Sequence, residues 1–127
     1  MRLEDGTRTH MSDTRAPGAT GYFGYIQTPG VAHSLTALKS SEKLGDHGFP
    51  TIARIDMAAG GTDSGEPPVH TQLDIGIDVT PVAFGPVLLR NDQDGRLSRF
   101  PRAMVECKTD DGRTGAGWIE WNQPEGP

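Results

Sequence analysis

The chain has 127 residues, with 17 glycines, 10 prolines, one cysteine and a net charge of -5. That is one domain's worth of chain, and its turn-rich composition favours short strands over helices. Lys and Arg dispersed among acids argue against a nucleic-acid surface, which needs concentrated positive charge. Cys107 alone excludes an intrachain disulfide, and no apolar run approaches the ~18 residues of a membrane span, so a soluble cytoplasmic protein is expected.

Residues 1–20 are polar, charged and rich in small residues, with no periodic apolar face. They are expected to form a disordered N-terminal arm, ahead of a single β domain over residues 21–124. Tyr22, Phe23, Tyr25 and Ile26 predict a short aromatic strand ending at the Thr28-Pro29-Gly30 turn. A second strand runs from Ser34 to about Lys39, and residues 40–48 read as a polar loop with at most one helical turn. Ala53, Ile55 and Met57 then alternate with Arg54 and Asp56. Residues 59–68 are Gly-rich and acidic, a long flexible connection.

The clearest signal covers residues 69–79. Val69, Thr71, Leu73, Ile75, Ile77 and Val79 alternate with His70, Gln72, Asp74, Gly76 and Asp78. Such a period of two is the mark of a half-buried antiparallel strand. Pro81 interrupts it, and residues 82–89 resume an apolar run in which Pro86 marks an edge or bulge. A polar turn over residues 91–95 leads into a strand over residues 97–108. The last hairpin closes on Asp110-Asp111-Gly112 and returns through residues 113–121, before an extended tail. About seven strands in an all-β antiparallel meander result, closing into a barrel or half-open barrel.

The final hairpin sets its own register. With Gly112 in the left-handed position of a three-residue loop, Lys108 faces Thr114, Met104 faces Trp118 and Arg102 faces Glu120. Ala103, Val105 and Cys107 then align with Ile119, Gly117 and Gly115 on the other face. A four-residue loop would set Arg102 against Ile119 and mix the faces.

Several stretches carry a family resemblance: Phe84-Gly85-Pro86-Val87-Leu88-Leu89, Asp94-Gly95-Arg96, Phe100-Pro101-Arg102-Ala103, and the run from Asp111-Gly112-Arg113-Thr114-Gly115-Ala116-Gly117 to Trp118-Ile119-Glu120-Trp121-Asn122. With the opening Gly24-Tyr25-Ile26-Gln27-Thr28-Pro29-Gly30, they resemble the C-terminal lobe of lipocalin-like proteins related to hydroxyneurosporene synthase (carotenoid hydratase), many of unknown function. The resemblance implies a β-barrel with an apolar interior and, in a few relatives, addition of water to an isoprenoid double bond. Such relatives usually carry two lobes, and this chain has one.

Three functions follow as expectations. The first is binding of a small apolar, isoprenoid- or lipid-like molecule beside Val105, Cys107, Gly115, Gly117, Ile119 and Trp121, where two glycines leave room. The second is a hydratase or cyclase using a carboxyl of raised pKa, for which Asp74, Asp78 and Glu120 are the in-strand candidates. Glu120 already has a partner in Arg102. The third is a structural subunit: Trp118 and Trp121 fall on opposite faces of one strand, so at least one indole is expected at the interface of a homodimer or larger homo-oligomer. No cofactor or metal is expected. His33, His47 and His70, even beside Asp46 or Asp74, lack a ligand spacing, and Asp92-x-Asp94-Gly95 is turn chemistry without the distal acid of a calcium loop.

Overall fold

The structure, a computed structural model, describes residues 1–16, 18–45, 50–62, 70–85, 87–120 and 123–124. Among them there is no helix, and so none long and apolar enough to cross a membrane. The strands are β1 (Arg2–Leu3), β2 (Arg8–Ala16), β3 (Ala19–Thr28), β4 (Val31–Leu44), β5 (Pro50–Thr62), β6 (His70–Phe84), β7 (Val87–Arg90), β8 (Leu97–Phe100), β9 (Arg102–Thr109), β10 (Thr114–Glu120) and β11 (Gln123–Pro124). Eight of them close an antiparallel barrel in the order β1-β10-β9-β6-β5-β4-β3-β2, and β11-β8-β7 form a separate three-stranded sheet.

β6 anchors the core as its alternation requires. Ile77 and Val79 are fully buried and Ile75 nearly so, while Gln72, Asp74 and Asp78 face solvent. Its neighbours supply the rest: Ala53, Ile55, Met57 and Ala59 from β5, and Ala103, Val105 and Cys107 from β9. Each large apolar side chain so buried contributes roughly 1.5–3 kcal/mol. A bulge between Pro81 and Ala83 lets β6 pass its proline without leaving the ladder. The β9–β10 hairpin has the expected register throughout, from Thr114↔Lys108 to Glu120↔Arg102, and Gly112 takes φ 92.

Elsewhere the structure corrects the sequence reading. Residues 1–20 are not an arm: β1 and β2 lie within them, with β1 pairing β10 (Leu3↔Gly115) and β2 (Arg2↔Arg8) to complete the barrel. With Thr7 just before it, β2 turns Thr9, Met11, Asp13 and Arg15 to this side, a row that buries threonines and satisfies charges with a single apolar residue between them. β4 runs on to Leu44 where a loop was expected, because its ladder with β5 continues through Ser40↔Ile55 and Glu42↔Ala53.

β3 pairs β4 only over Tyr25–Thr28, and beyond that the seam is clasped by side chains. Arg15 bonds Glu42 and Ser40, Ser40 donates to Asp13 at 2.7 Å, and Tyr22 donates to the Thr36 carbonyl at 2.7 Å. Finally, the apolar run after Pro81 divides. Its later part becomes β7, which leaves the barrel to pair with β8, and the strand expected over residues 97–108 breaks at Pro101. The tail contributes β11 against β8.

β1 supplies a direct test of closure. Leu3 is 1% exposed and packs in the barrel core. Leu3→Ala should therefore cost about 2–5 kcal/mol in urea unfolding, the range for a buried leucine. An unchanged denaturation midpoint would mean that residues 1–20 are the arm their composition suggests.

Candidate functional site

Closure at β1 decides where free space remains. Gly115 and Gly117 lack side chains where the chain's own first strand lies. A Cβ at Gly115 would collide with the Arg2 carbonyl oxygen and reach 2.9 Å from the Leu3 Cα, and one at Gly117 would lie 2.8 Å from Met1. Val105 and Cys107 are buried beside them, and Ile119 packs half-buried against the same core. The room next to these residues is thus taken up by β1 and Met1. Trp121, expected in the same group, lies outside the described residues. Burial pushes the Cys107 thiol up, so it stays protonated and behaves as a small apolar side chain.

Space opens instead at the end of the barrel where the β9–β10 turn meets β4, β5 and β6. A cleft of about 440 Å³ lies there. Leu38, Met57 and Ile75 give it an apolar wall that continues the core, and Thr109 stands opposite at the end of β9. Lys39, Asp56, Asp74, Asp110, Asp111 and Arg113 supply its charged rim.

The turn is held in place by a second arrangement. The Asp110 N–H donates to the Gly76 carbonyl at 3.0 Å, joining turn to strand. Arg54, on β5, reaches across Gly76 to Asp110 (2.6 Å), and also contacts Asp56 (2.8 Å) and Asp78 (3.3 Å). Gly76 leaves room for both groups, since a Cβ there would make the guanidinium and the Asp110 carboxylate, the ends of two flexible side chains, shift aside. The hydrogen bonds to Asp110, then Asp56 and Asp78, raise the pKa of Arg54. Asp110 is lowered, chiefly by the bond from Arg54. Beside it, Asp111 accepts from Arg113 first and Thr109 second and is held down to about 2. Arg113 also bonds Asp5 at 2.9 Å, which ties the turn to the β1–β2 connection.

The structure separates the three acids named from sequence. Asp74 lines the cleft. Asp78 sits outside the barrel as an acceptor of Arg54, and Glu120 pairs with Arg102 on the outer face. Proton donation to an alkene needs a carboxyl raised by desolvation, whereas Asp110 and Asp111 are lowered and ionised at neutral pH. The arrangement suits holding an apolar body with a polar end at the rim.

Of the histidines, His10 stacks on Tyr25 with centroids 5.7 Å apart, His33 is half-buried on β4, and His47 lies outside the described residues. Among the described residues no three His, Cys, Asp or Glu side chains gather as a metal site. Sequence reasoning missed Leu38, Met57, Thr109 and Arg113. Arg113, following the Asp-Asp-Gly turn, was the only signal available.

A family model described as a domain of unknown function, DUF7064, matches residues 1–125. No curated protein and no solved structure matches the chain.

The depressed carboxylate gives a pH dependence. Asp111 ordinarily titrates near 3.8 and does so at about 2 when folded. Its contribution to stability is therefore complete above the unfolded value and is lost as pH falls through that window. In thermal unfolding, Asp111→Asn should flatten the decline in midpoint between pH 3.8 and about 2 relative to the unchanged chain. Parallel curves for the two proteins would rule out this role.

Proposed function

The chain belongs to the DUF7064 family, and we propose that it is a binding barrel that takes up a small, largely apolar molecule of the isoprenoid or lipid class. The observation that supports this is the cleft of about 440 Å³, with Leu38, Met57 and Ile75 on its wall. That volume lies within the ~300–1,000 Å³ of small-molecule sites, which are likewise mostly apolar with a few polar groups fixing orientation. Here Lys39 and Asp74 at the rim are the groups placed to meet a polar end.

A second observation favours self-association as a further part of the function. Trp118 is 65% exposed and Met104 45%, and the two are cross-strand partners on the outer barrel face. An apolar row of this kind costs solubility unless another surface covers it.

Binding is tested with farnesol, a fatty acid and an anilinonaphthalene fluorophore as probes, read by native mass spectrometry and fluorescence. At least one should bind at one per chain. Leu38→Trp, which fills the cleft, should weaken it by about tenfold or more, or ~1.4 kcal/mol. Trp118→Glu, on the outer face, should leave binding unchanged. Failure of all three probes, or equal binding by Leu38→Trp, would remove the reading.

A further inference from the structure

We propose that the outer face of β9 and β10 is where two copies of this chain meet, about a two-fold axis running along the strands between Met104 and Trp118. This rests on the self-association reading and specifies its surface. The alternation of β9 places Arg102, Met104, Glu106 and Lys108 outward, and that of β10 places Thr114, Ala116, Trp118 and Glu120 outward. In register they form four rows: Arg102↔Glu120, Met104↔Trp118, Glu106↔Ala116 and Lys108↔Thr114.

A two-fold axis along the strands exchanges β9 of one copy with β10 of the other, so each row meets itself reversed. Arg102 of one protomer then faces Glu120 of its partner, and the reverse holds at the same time. Met104 faces an indole, a contact sulfur makes favourably at the ring. Glu106 faces an alanine and Lys108 a threonine. No row sets like charges against each other, and self-complementarity of this kind is what a closed two-fold contact requires.

Other occupants fit the face less well. An anionic lipid surface calls for a cluster of basic residues. This face offers Arg102 and Lys108 against Glu106 and Glu120, with Arg102 already bonded to Glu120. Pairing of Arg102 with Glu120 across the two strands makes the face complementary to a second copy of itself. The row also extends onto β6, where exposed Ala83 is the partner of Met104, which widens the apolar centre without adding charge.

The test uses the exchange itself. Arg102→Glu makes the charged row wholly acidic and Glu120→Arg makes it wholly basic. By light scattering at micromolar concentration the unchanged chain should be a dimer. Each single variant should dissociate, with a dimer Kd raised at least about tenfold. An equimolar mixture of the two should dimerise again, because each acidic face meets a basic one. Trp118→Glu should be monomeric, and Met104→Lys serves in its place if that variant loses the circular-dichroism signature of the barrel.

A monomeric unchanged chain would overturn self-association altogether. A dimer that survives both charge variants and Trp118→Glu would overturn this face while leaving self-association standing. A mixture that stays monomeric would overturn the proposed exchange of strands.

Discussion

Everything in this barrel depends on closing a sheet with its shortest strand. β10 and β2 would be open edges, each presenting unpaired backbone groups, were it not for the few residues of β1 between them. A strand of two residues makes few ladder bonds, so the closure draws on other contacts. The Leu3 side chain is driven into the core, and Gly115 allows the Arg2 backbone to come closer than any side chain would permit. Polar groups extend the seam on both sides. Glu4 accepts from the Thr114 backbone N–H at 3.2 Å, and Arg113 spans to Asp5. With the ring complete, the alternating residues of β5, β6 and β9 have an inside to face.

Which strands could be read from sequence follows from what lines that inside. β6, β9 and β10 were legible because their inward positions are Ile, Val, Ala, Cys and Gly in strict alternation with outward ones that are mostly charged or polar, Met104, Ala116 and Trp118 being among the exceptions. The turn at Gly112 then left one register in which the faces agree. β2 was not legible, although its period is equally regular. Thr7, just before it, and Thr9 are buried, and of the inward residues that follow only Met11 is apolar, Asp13 and Arg15 being satisfied by Ser40 and Glu42 of β4. Hydropathy detects apolar burial, and this wall of the barrel offers only Met11 between its hydroxyls and an ion cluster. For the same reason β4 looked like a loop just where Ser40 and Glu42 make their contacts.

The cleft was invisible for a different reason. Its wall comes from β4, β5 and β6, and its far side is a turn brought there by pairing across the barrel. Arg54 and Asp110 are separated by 56 positions in the chain. Nothing local to either residue signals the other. Asp74 was found because it lies on the most readable strand, but the reason for nominating it, a carboxyl among apolar neighbours, is not the reason it lines the cleft. Its place at the rim follows from β6 continuing past the point where β9 ends, at Ile77↔Thr109.

The ion pairs around that turn set its position more than they stabilise the fold. Arg54 is about one-third exposed and its acidic partners more so, and exposed pairs of this kind, screened by solvent, add little to stability. What locates the turn is the backbone bond from Asp110 to Gly76, together with the absence of a side chain at 76. Arg54 then holds Asp110 beside Gly76, and Asp110 faces the cleft together with Thr109 and Arg113. A side chain at 76 would make only the ends of the Arg54 and Asp110 side chains move aside. The backbone bond from Asp110 to Gly76 would still hold the turn against the strand. The one glycine in the polar row of β6 thus connects the most regular strand of the sequence to the opening of the cleft.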